Sequence, residues 1–335
     1  MNYKTIIGQA WSFTNKNKRL IFWYGFIPSI FTTTYGVIYM AYQFFSFRKS
    51  PLMGHKGHGF LYDVGTFIMD FITKHASLSI PLIIVMIIAV IIWFLLPTLC
   101  QAAAVQYISR KHNGQPATLG TGMRYGIFNF LPLLEYHALM KTISFFAMSM
   151  EAAFVLRNLG VEAFKFLLPV FIFAFLLGLV LSLLFSYADF YIVVDNEKVF
   201  LSIWKSMRLV ILNWQKTFLV SLLMILIGIR IIIQILTLMF IPSILLIGVS
   251  YIGMTWAAQI GLIIAIIVAI AALLFASYLT GVIDIFSYTV WTFTFLDLTS
   301  QKEISAREKI TKISAREVVP QMNGQMREEP GMDPD

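Results

Sequence analysis

The residues of this sequence best able to do chemistry are charged side chains that interrupt long apolar segments. Arg230 lies among isoleucines near the centre of one such segment, and Gln234 follows one helical turn later. A charge placed there is costly and normally meets an ionic partner or lines a water-filled cavity. The candidate partners are Glu135 and Asp284. Three roles stay open for Arg230: an interhelical ion pair, one wall of a pathway for a solute or ion, and a side chain that snorkels to water.

A second polar group lies in the least apolar of the long segments. His137 and Lys141 are four residues apart and share one helical face, and Glu135 precedes them. If these groups line water, they supply the parts of a proton relay. The simpler interpretation is that this segment starts near the aqueous boundary, which leaves Glu135 and His137 among lipid headgroups.

The sequence lacks the familiar catalytic and cofactor motifs. No phosphate-binding loop, zinc-protease helix or nucleophile elbow occurs. His55 and His58 form an HxxH pair, but two histidines in a glycine-rich loop are weak evidence for a metal. Cys100 is the single cysteine, so neither an internal disulfide nor a cysteine zinc site can form. We therefore predict a chain that is not an enzyme and that holds no metal and no cofactor.

The composition is that of a membrane protein. Of the 335 residues, 59% are hydrophobic and 13% are charged, whereas soluble domains have about 45–50% and about 25%. Several apolar runs reach the ~20 residues with which a helix crosses a bilayer, and the alternation of barrel strands is absent. The net charge is +8, and the basic residues stand beside the apolar runs. Anionic lipid headgroups are therefore the expected partner, not nucleic acid.

The elements that position these residues are predicted to form an all-α, polytopic membrane fold with six transmembrane helices. Residues 1–19 are an amphipathic entry, and residues 61–74 form a short amphipathic helix in the first external loop. Residues 299–335 are a cytosolic tail, disordered from about 320, where Pro, Gly and acidic residues dominate. The six helices of the domain 20–298 are predicted at 20–45, 79–108, 130–156, 163–188, 218–241, where Pro242 stops the helix, and 259–298.

An internal repeat groups the six helices into three hairpins. Residues 101–140 match residues 185–224 at an offset of 84, with nine identities in forty positions, against roughly three by chance. Weaker echoes occur near Asn17 and Tyr288. We infer three units, each an amphipathic cytosolic helix followed by a hairpin, although similar composition at similar membrane boundaries is the alternative explanation. The sharpest block pairs Met123, Arg124, Ile127 and Asn129 with Met207, Arg208, Ile211 and Asn213.

The best-defined amphipathic segment is 199–212. Its apolar positions can enter the acyl boundary of a membrane. The residues expected to contact lipid headgroups are Trp204, Lys205, Arg208, Trp214 and, in the other copy of the repeat, Arg124. The alternative is that the apolar face packs on the protein's own bundle. Asn129 and Asn213 are expected to bond backbone at the turn into the membrane.

The distribution of Lys and Arg predicts the orientation. With six helices both termini share one side, together with the loops 109–129 and 189–217, and this side carries more Lys and Arg than the other even without the tail. The positive-inside rule then places both termini in the cytoplasm of a multi-pass cell-membrane protein.

The stretch 185–218, FSYADFYIVVDNEKVFLSIWKSMRLVILNWQKTF, resembles poorly characterised families of prokaryotic six-helix membrane proteins. These families include the membrane domain of glycerophosphodiester phosphodiesterases. In them an aromatic-rich helix end precedes an acidic or Asn turn and a helix of the type ALxxSxxLxxxN, which here runs from Leu201 to Asn213 with Ser206 and Leu209 in place. The resemblance covers about 97–221 and implies a fold. It implies no phosphodiesterase activity, because the soluble catalytic domain is lacking.

Two functions therefore stay open. The first is a non-enzymatic membrane component that organises lipids, or partner proteins, through its cytosolic helices and tail. The second is a transporter or channel with a pathway between the hairpins near Arg230, Gln234 and Glu135. Lys141 and Asp284 complete the set of intramembrane polar candidates.

Overall fold

The computed structural model of the chain describes residues 3–50, 53, 60–251 and 255–325. Every regular element in these ranges is a helix, which confirms the all-α prediction. In chain order the elements are α1 (Tyr3–Lys16), α2 (Lys18–Leu20), a π-helical segment (Ile21–Phe26), α3 (Ile27–Arg48), α4 (Phe60–Lys74), α5 (Ala76–His112), α6 (Leu119–Ile143), α7 (Phe145–Leu184), α8 (Ala188–Val193), α9 (Val199–Leu212), α10 (Trp214–Tyr251) and α11 (Thr255–Gln325).

Within the described part of the chain, five helical stretches are long and apolar enough to cross a membrane. The predicted count of six is therefore not confirmed. The predicted helix 130–156 is divided, because Ser144 has an extended backbone and its hydroxyl caps α7 by accepting the Ala147 N–H. The five stretches are Lys18–Arg48, Ala76–His112, Ala147–Leu184, Trp214–Gln234 and Ile263–Ser300.

α7 folds back on itself at Gly160. The backbone of Gly160 (φ 86°, ψ 178°) lies outside the helical region, in a conformation open essentially to glycine alone. Met148 and Ala152 line a cavity of about 220 Å³ together with Phe171 and Phe175. In a straight helix Met148 and Phe175 would be about 40 Å apart at 1.5 Å per residue. The halves 145–159 and 161–184 therefore lie side by side and run in opposite directions.

α6 runs antiparallel to the C-terminal half of α5. Near its start, Gly122 lies against Tyr107. Farther along, Thr98 Oγ1 lies 3.3 Å from His137 Nδ1, and Lys141 Nζ lies 5.0 Å from the ring centre of Phe94. These contacts extend along about 20 Å of α5. α6 therefore lies alongside a membrane span for most of its length, although its polar residues keep it outside the five most apolar stretches.

The first and last spans cross in close backbone contact at two glycines. A Cβ on Gly25 would lie 2.5 Å from the Gly281 carbonyl oxygen, and a Cβ on Gly281 would lie 2.5 Å from the Phe26 nitrogen. Small residues let membrane helices approach this closely. The π-helical segment Ile21–Phe26 contains Gly25, so the irregular turn lies at the helix crossing itself.

The tightly packed core occupies one end of the bundle. Only 6% of the most apolar window of the α5 span is buried, as expected for a surface that faces lipid. By contrast, α8 is buried along nearly its whole length and packs on α5, α6, α9 and, through Phe295, on α11. This end also holds α1 and the turn between α5 and α6. Its fully buried side chains include Leu20, Ile108, Tyr187, Ile192, Leu209 and Phe295.

Two predicted helix ends differ from the structure. α10 continues through Pro242 to Tyr251, because a proline removes one hydrogen bond without forcing a membrane helix to end. The helix of α11 continues through Pro320 to Gln325, past the predicted start of disorder. The rest of that predicted disordered segment lies outside the described residues.

Two asparagine turns, one of them at the weak N-terminal echo of the predicted repeat, share one pattern of hydrogen bonds. Asn17 Nδ2 donates to Phe13 O, and Asn17 O accepts from the N–H groups of residues 20 and 21. Asn213 repeats this pattern, with Leu209 O as acceptor and residues 216 and 217 as donors. Asn129, the predicted partner of Asn213, lies inside α6, where no turn occurs. The amphipathic helix is therefore a separate element in two places, before α2 and before α10, but not before α6.

Candidate functional site

A cavity of about 300 Å³ lies between α5, α8, α10 and α11. One wall is apolar and comes from α10. The opposite walls bring polar side chains from three other parts of the chain to one place. The polar lining is Gln101, Ser186, Asp189, Ser287 and Tyr288, and the remaining lining is Phe190, Met224, Ile227, Gly228 and Trp291.

The turn between α7 and α8 fixes the direction of Asp189. The Ser206 hydroxyl on α9 accepts the Tyr187 N–H at 3.1 Å and donates to Leu184 O at 2.8 Å. The Tyr187 ring is fully buried, with its centre 5.3 Å from Trp291 and 6.3 Å from Phe295. Both ends of the turn are thereby tied to neighbouring helices, and Asp189 in the first turn of α8 faces the cavity.

Asp189 is a carboxyl group without a basic partner. Gln101 Nε2 donates to its Oδ2 at 3.0 Å, and the Phe190 N–H donates to its Oδ1 at 3.0 Å. None of the ion pairs among the described residues includes it. Burial raises the pKa of Asp189 to about 7, and these hydrogen bonds only partly oppose that rise. The group is therefore partly protonated at neutral pH.

Tyrosines face this carboxyl group from two other helices. Tyr136 on α6 is buried and donates its hydroxyl hydrogen bond to Phe185 O at 2.8 Å. Tyr288 on α11 is within electrostatic range of both Asp189 and Asp284. Phenols ionise only near pH 10 in water, and neither tyrosine has a basic neighbour in the cavity wall. Tyr288, which lines the cavity, therefore offers a hydrogen bond rather than a charge.

Asp284 is the one predicted intramembrane residue that lies next to this site. It is one helical turn before Tyr288, and the Ser29 hydroxyl on α3 donates to its Oδ2 at 3.1 Å. The predicted pairing with Arg230 does not occur.

Arg230 and Gln234 have separate surroundings. Arg230 is exposed on α10 and makes no hydrogen bond or ion pair with the described residues. Gln234 Nε2 donates to Ala276 O of α11 at 2.8 Å. The ion pair of Arg230 with Glu135 or Asp284, one of the three roles considered for Arg230, is not formed among the described residues. Arg230 faces outwards, whereas Asp284 bonds to Ser29. Arg230 is therefore not among the residues that line the cavity beside Asp189.

The polar side chains predicted to cluster on α6, Glu135, His137 and Lys141, also have separate surroundings. Glu135 is exposed, whereas His137 is half-buried against Thr98. Lys141 Nζ lies over the rings of Trp93 and Phe94, at 5.9 and 5.0 Å from their centres. The three side chains thus contact different surroundings, and they form no continuous relay.

The two alternatives for segment 199–212 both hold, on different faces of α9. Ser202, Ser206, Leu209 and Val210 are buried against the bundle. An opposite stripe of apolar side chains, which we call the α9 outer stripe, is exposed. It consists of Phe200, Trp204, Ile211 and Leu212, at 79%, 65%, 62% and 63% exposure.

Two of the predicted headgroup residues lie next to this stripe. Trp214 and Arg208 are exposed next to it. Lys205 is half-buried in an ion pair with Glu197, and its Nζ lies 5.9 Å from the ring centre of Tyr191. Lys205 is therefore engaged with the protein. Arg124 is exposed on α6.

A basic cleft of about 700 Å³ lies at the same end of the bundle. Lys16, Lys18 and Arg19 line it from the break between α1 and α2, and Thr118 and Gly120 line it from the start of α6. Lys111 Nζ bonds to Asn17 Oδ1 at 2.6 Å and to Tyr107 OH at 3.0 Å, beside the same cleft. The cleft thus combines positive charge with the positive end of a 25-residue helix.

Sequence reasoning missed Asp189 and Gln101. A signal was present for each, since Asp189 is an acid inside the aromatic run YADFY and Gln101 interrupts an apolar helix. The run is equally typical of a membrane boundary, however, and Arg230 is the more conspicuous charge. The pairing itself depends on how α5 and α8 pack, and no spacing in the sequence encodes that contact.

The described residues contain no group of three or more potential metal ligands. His55 and His58 lie outside the described residues. The resemblance to the membrane domain of glycerophosphodiester phosphodiesterases stays a prediction. Comparison with protein-family models, with curated proteins and with solved structures finds no match to this chain.

Proposed function

We propose that this chain is a non-enzymatic component of the cell membrane that gathers anionic lipids at its cytoplasmic surface. The observation that carries the proposal is the basic cleft lined by Lys16, Lys18 and Arg19 at the start of α6. A phosphate group suits this cleft, because both basic side chains and the N-terminus of a helix favour an anion. The proposal needs no catalytic residue.

The α9 outer stripe supports a lipid as the source of the phosphate. Its exposed Phe200 and Trp204 are suited to the boundary between acyl chains and headgroups, where aromatic side chains are enriched. Arg208 and Trp214 next to the stripe are suited to the headgroup layer itself. A soluble phosphate compound would gain nothing from these apolar groups.

The proposal includes six passes through the membrane, with both termini in the cytoplasm. The fold-back at Gly160 and the antiparallel course of α6 along α5 support a sixth pass formed by α6 and residues 145–159. Single cysteines in a Cys100→Ala background test the orientation. Thr66→Cys on exposed α4 should react with a membrane-impermeant maleimide from outside, and Ser300→Cys should react only after permeabilisation. The reverse pattern would invert the proposed orientation.

Lipid retention tests the main proposal. The full chain, extracted in its native lipids, is expected to retain anionic phospholipid that native mass spectrometry detects. A variant with Lys16, Lys18 and Arg19 all changed to Gln should lose most of it. The matched control changes Arg48, Lys74 and Lys165 to Gln, which removes the same charge from the opposite side. Equal retention by both variants would refute the cleft as the lipid site.

The described residues do not favour the alternative of a transporter or channel near Arg230, since Arg230 is exposed and makes no ion pair with them. Partner proteins stay open as a second ligand class for the cytosolic helices and tail. The lipid-retention test separates the two, because a surface that binds only protein would show no charge-dependent lipid.

A further inference from the structure

We infer that the cavity between α5, α8, α10 and α11 binds a small organic ammonium ion, with Asp189 as its counter-ion. This site is separate from the basic cleft and opposite to it in charge, so neither proposal depends on the other. The inference rests on the composition of the cavity wall, on its size and on the lack of a basic side chain among the residues that line it.

Charge sets the first requirement on a ligand. Asp189 is the only carboxylate or cation among the lining residues, and every other polar lining group is neutral. A buried carboxylate without a cation is costly, and it is normally paired or neutralised by a proton. A ligand that brings its own positive charge removes this cost.

The aromatic wall sets the second requirement. Phe190, Tyr288 and Trp291 line the cavity together with Asp189. Aromatic faces attract organic cations, and Trp does so best. The Trp291 ring is held by its edge contact with buried Tyr187, at 5.3 Å between ring centres. A carboxylate together with a fixed aromatic wall suits an alkylammonium group.

The size of the cavity narrows the ligand class. A volume of about 300 Å³ is at the small end of ligand pockets. Met224, Ile227 and Gly228 form an apolar wall that suits a hydrocarbon substituent. A bare metal cation would instead need about six oxygen ligands around it, and it could not use that wall. The cavity therefore favours an ammonium ion with one small apolar group.

Protons compete with the ammonium ion for Asp189. The titratable groups that face Asp189 are Tyr136 from α6 and Tyr288 from α11, with Asp284 behind Tyr288. α5 presents neutral Gln101, α10 presents only apolar residues, and Lys205 of α9 is held by Glu197. Because the pKa of Asp189 is raised to about 7, binding of the cation to the protonated form releases the carboxyl proton to water. Binding should therefore weaken as the pH falls.

Thermal unfolding of the full chain in detergent tests the inference. Benzylammonium is the probe, and benzyl alcohol is its neutral isostere. Benzylammonium is expected to raise Tm by a few degrees in a saturable way, and benzyl alcohol should not. The apparent Kd should increase about tenfold between pH 7.5 and pH 6, as the ionised fraction of Asp189 falls. Equal shifts with the two probes, or no shift with either, would overturn the inference.

Substitutions test whether the benzylammonium shift in Tm arises from binding in this cavity. Asp189→Asn keeps the size of the side chain and should abolish the benzylammonium shift. Asp195→Asn, on the exposed turn beyond α8, is the matched control and should leave the shift intact. Trp291→Leu should weaken binding about fivefold by removing the best cation–π partner. A shift that survives in Asp189→Asn, or a saturable shift produced by sodium or potassium chloride alone, would overturn the assignment of this cavity to an ammonium ion.

Discussion

Asp189 on α8 accepts a hydrogen bond from Gln101 on α5 at 3.0 Å, although 88 positions separate the two residues in the chain. The amide can satisfy the carboxyl group in either protonation state, because it offers both a donor and an acceptor. This neutral partner lets Asp189 lie half-buried without an ion pair. The contact also joins the two copies of the predicted repeat, since Gln101 begins one copy and Asp189 lies in the other.

The stability of the fold should depend on pH through Asp189. Its pKa is raised in the folded protein to about 7, whereas in the unfolded chain it is about 4. The folded state therefore binds the proton more tightly, and stability should decrease as the pH rises from about 4 to about 7. Asp189→Asn should remove this dependence and be more stable than the wild type at pH 8 by about 2 kcal/mol, after allowance for partial solvent screening. Denaturant titrations at several pH values measure the free energy of unfolding of the wild type and of Asp189→Asn.

A histidine is the usual explanation for a transition near pH 7, and His137 provides the control. His137 is half-buried against Thr98, and Lys141 stands one helical turn away on the same face. The hydrogen-bond partners of the Asp189 carboxyl group are Gln101 and the Phe190 N–H, and not His137. His137→Gln should therefore keep the transition that Asp189→Asn removes. The opposite result would assign the transition to His137.

Hydrophobicity alone predicts the class of this protein, whereas the site depends on packing. The membrane class, the all-helical fold and the amphipathic character of 199–212 depend on composition and periodicity, which are local properties. Arg230 is conspicuous because its type is costly in an apolar segment, but its outward direction depends on how α10 packs on α11. The change of direction at Gly160 lies between the predicted helices 130–156 and 163–188, whereas the break at Ser144, inside the first of them, was not predicted because no local pattern there indicates a helix end.

The helix crossing at Gly25 and Gly281 should not tolerate a side chain. An added methyl group at either position would approach backbone atoms within 2.5 Å, and backbone cannot move aside easily. Gly25→Ala and Gly281→Ala should each destabilise the protein by about 1–3 kcal/mol. Gly8→Ala is the control, because nothing lies within 4 Å of its added Cβ, and helix propensity should make it slightly stabilising. If thermal unfolding showed that Gly8→Ala destabilises the protein as much as Gly25→Ala and Gly281→Ala do, the close crossing would be refuted.

Two arginines in apolar surroundings should differ in their effect on stability. Arg157 is 4% exposed, and its guanidinium donates to Gln43 Oε1 at 2.7 Å and to Tyr42 OH at 3.0 Å. Arg157→Leu should cost about 2 kcal/mol, since it leaves buried polar partners unpaired. Arg230→Leu should cost less than about 0.5 kcal/mol, because Arg230 is exposed and has no described partner to lose. Unfolding in a denaturing detergent measures both, and a loss at Arg230 as large as at Arg157 would restore Arg230 as a structural or functional group.

The two asparagines that the repeat pairs with each other have different surroundings. Val193 O accepts hydrogen bonds from Asn129 Nδ2 at 3.1 Å and from Gln106, and Asn129 is 4% exposed. The Asn213 side chain donates within its own turn, to Leu209 O at 3.2 Å, and is half-buried. If the two positions were equivalent, alanine would have the same effect at both.

The structure predicts unequal effects of alanine at these two positions. Asn129→Ala should cost about 2 kcal/mol, because it removes a buried bond that ties α6 to the end of α8. Asn213→Ala should cost about 1 kcal/mol or less and should mainly change the angle between α9 and α10. Denaturation measures the first effect, and a spin-label distance between α9 and α10 measures the second. Equal destabilisation would mean that the two asparagines contribute equally to stability in the two copies of the repeat. The predicted inequality would mean that Asn129 links α6 to the end of α8, whereas Asn213 has no such role.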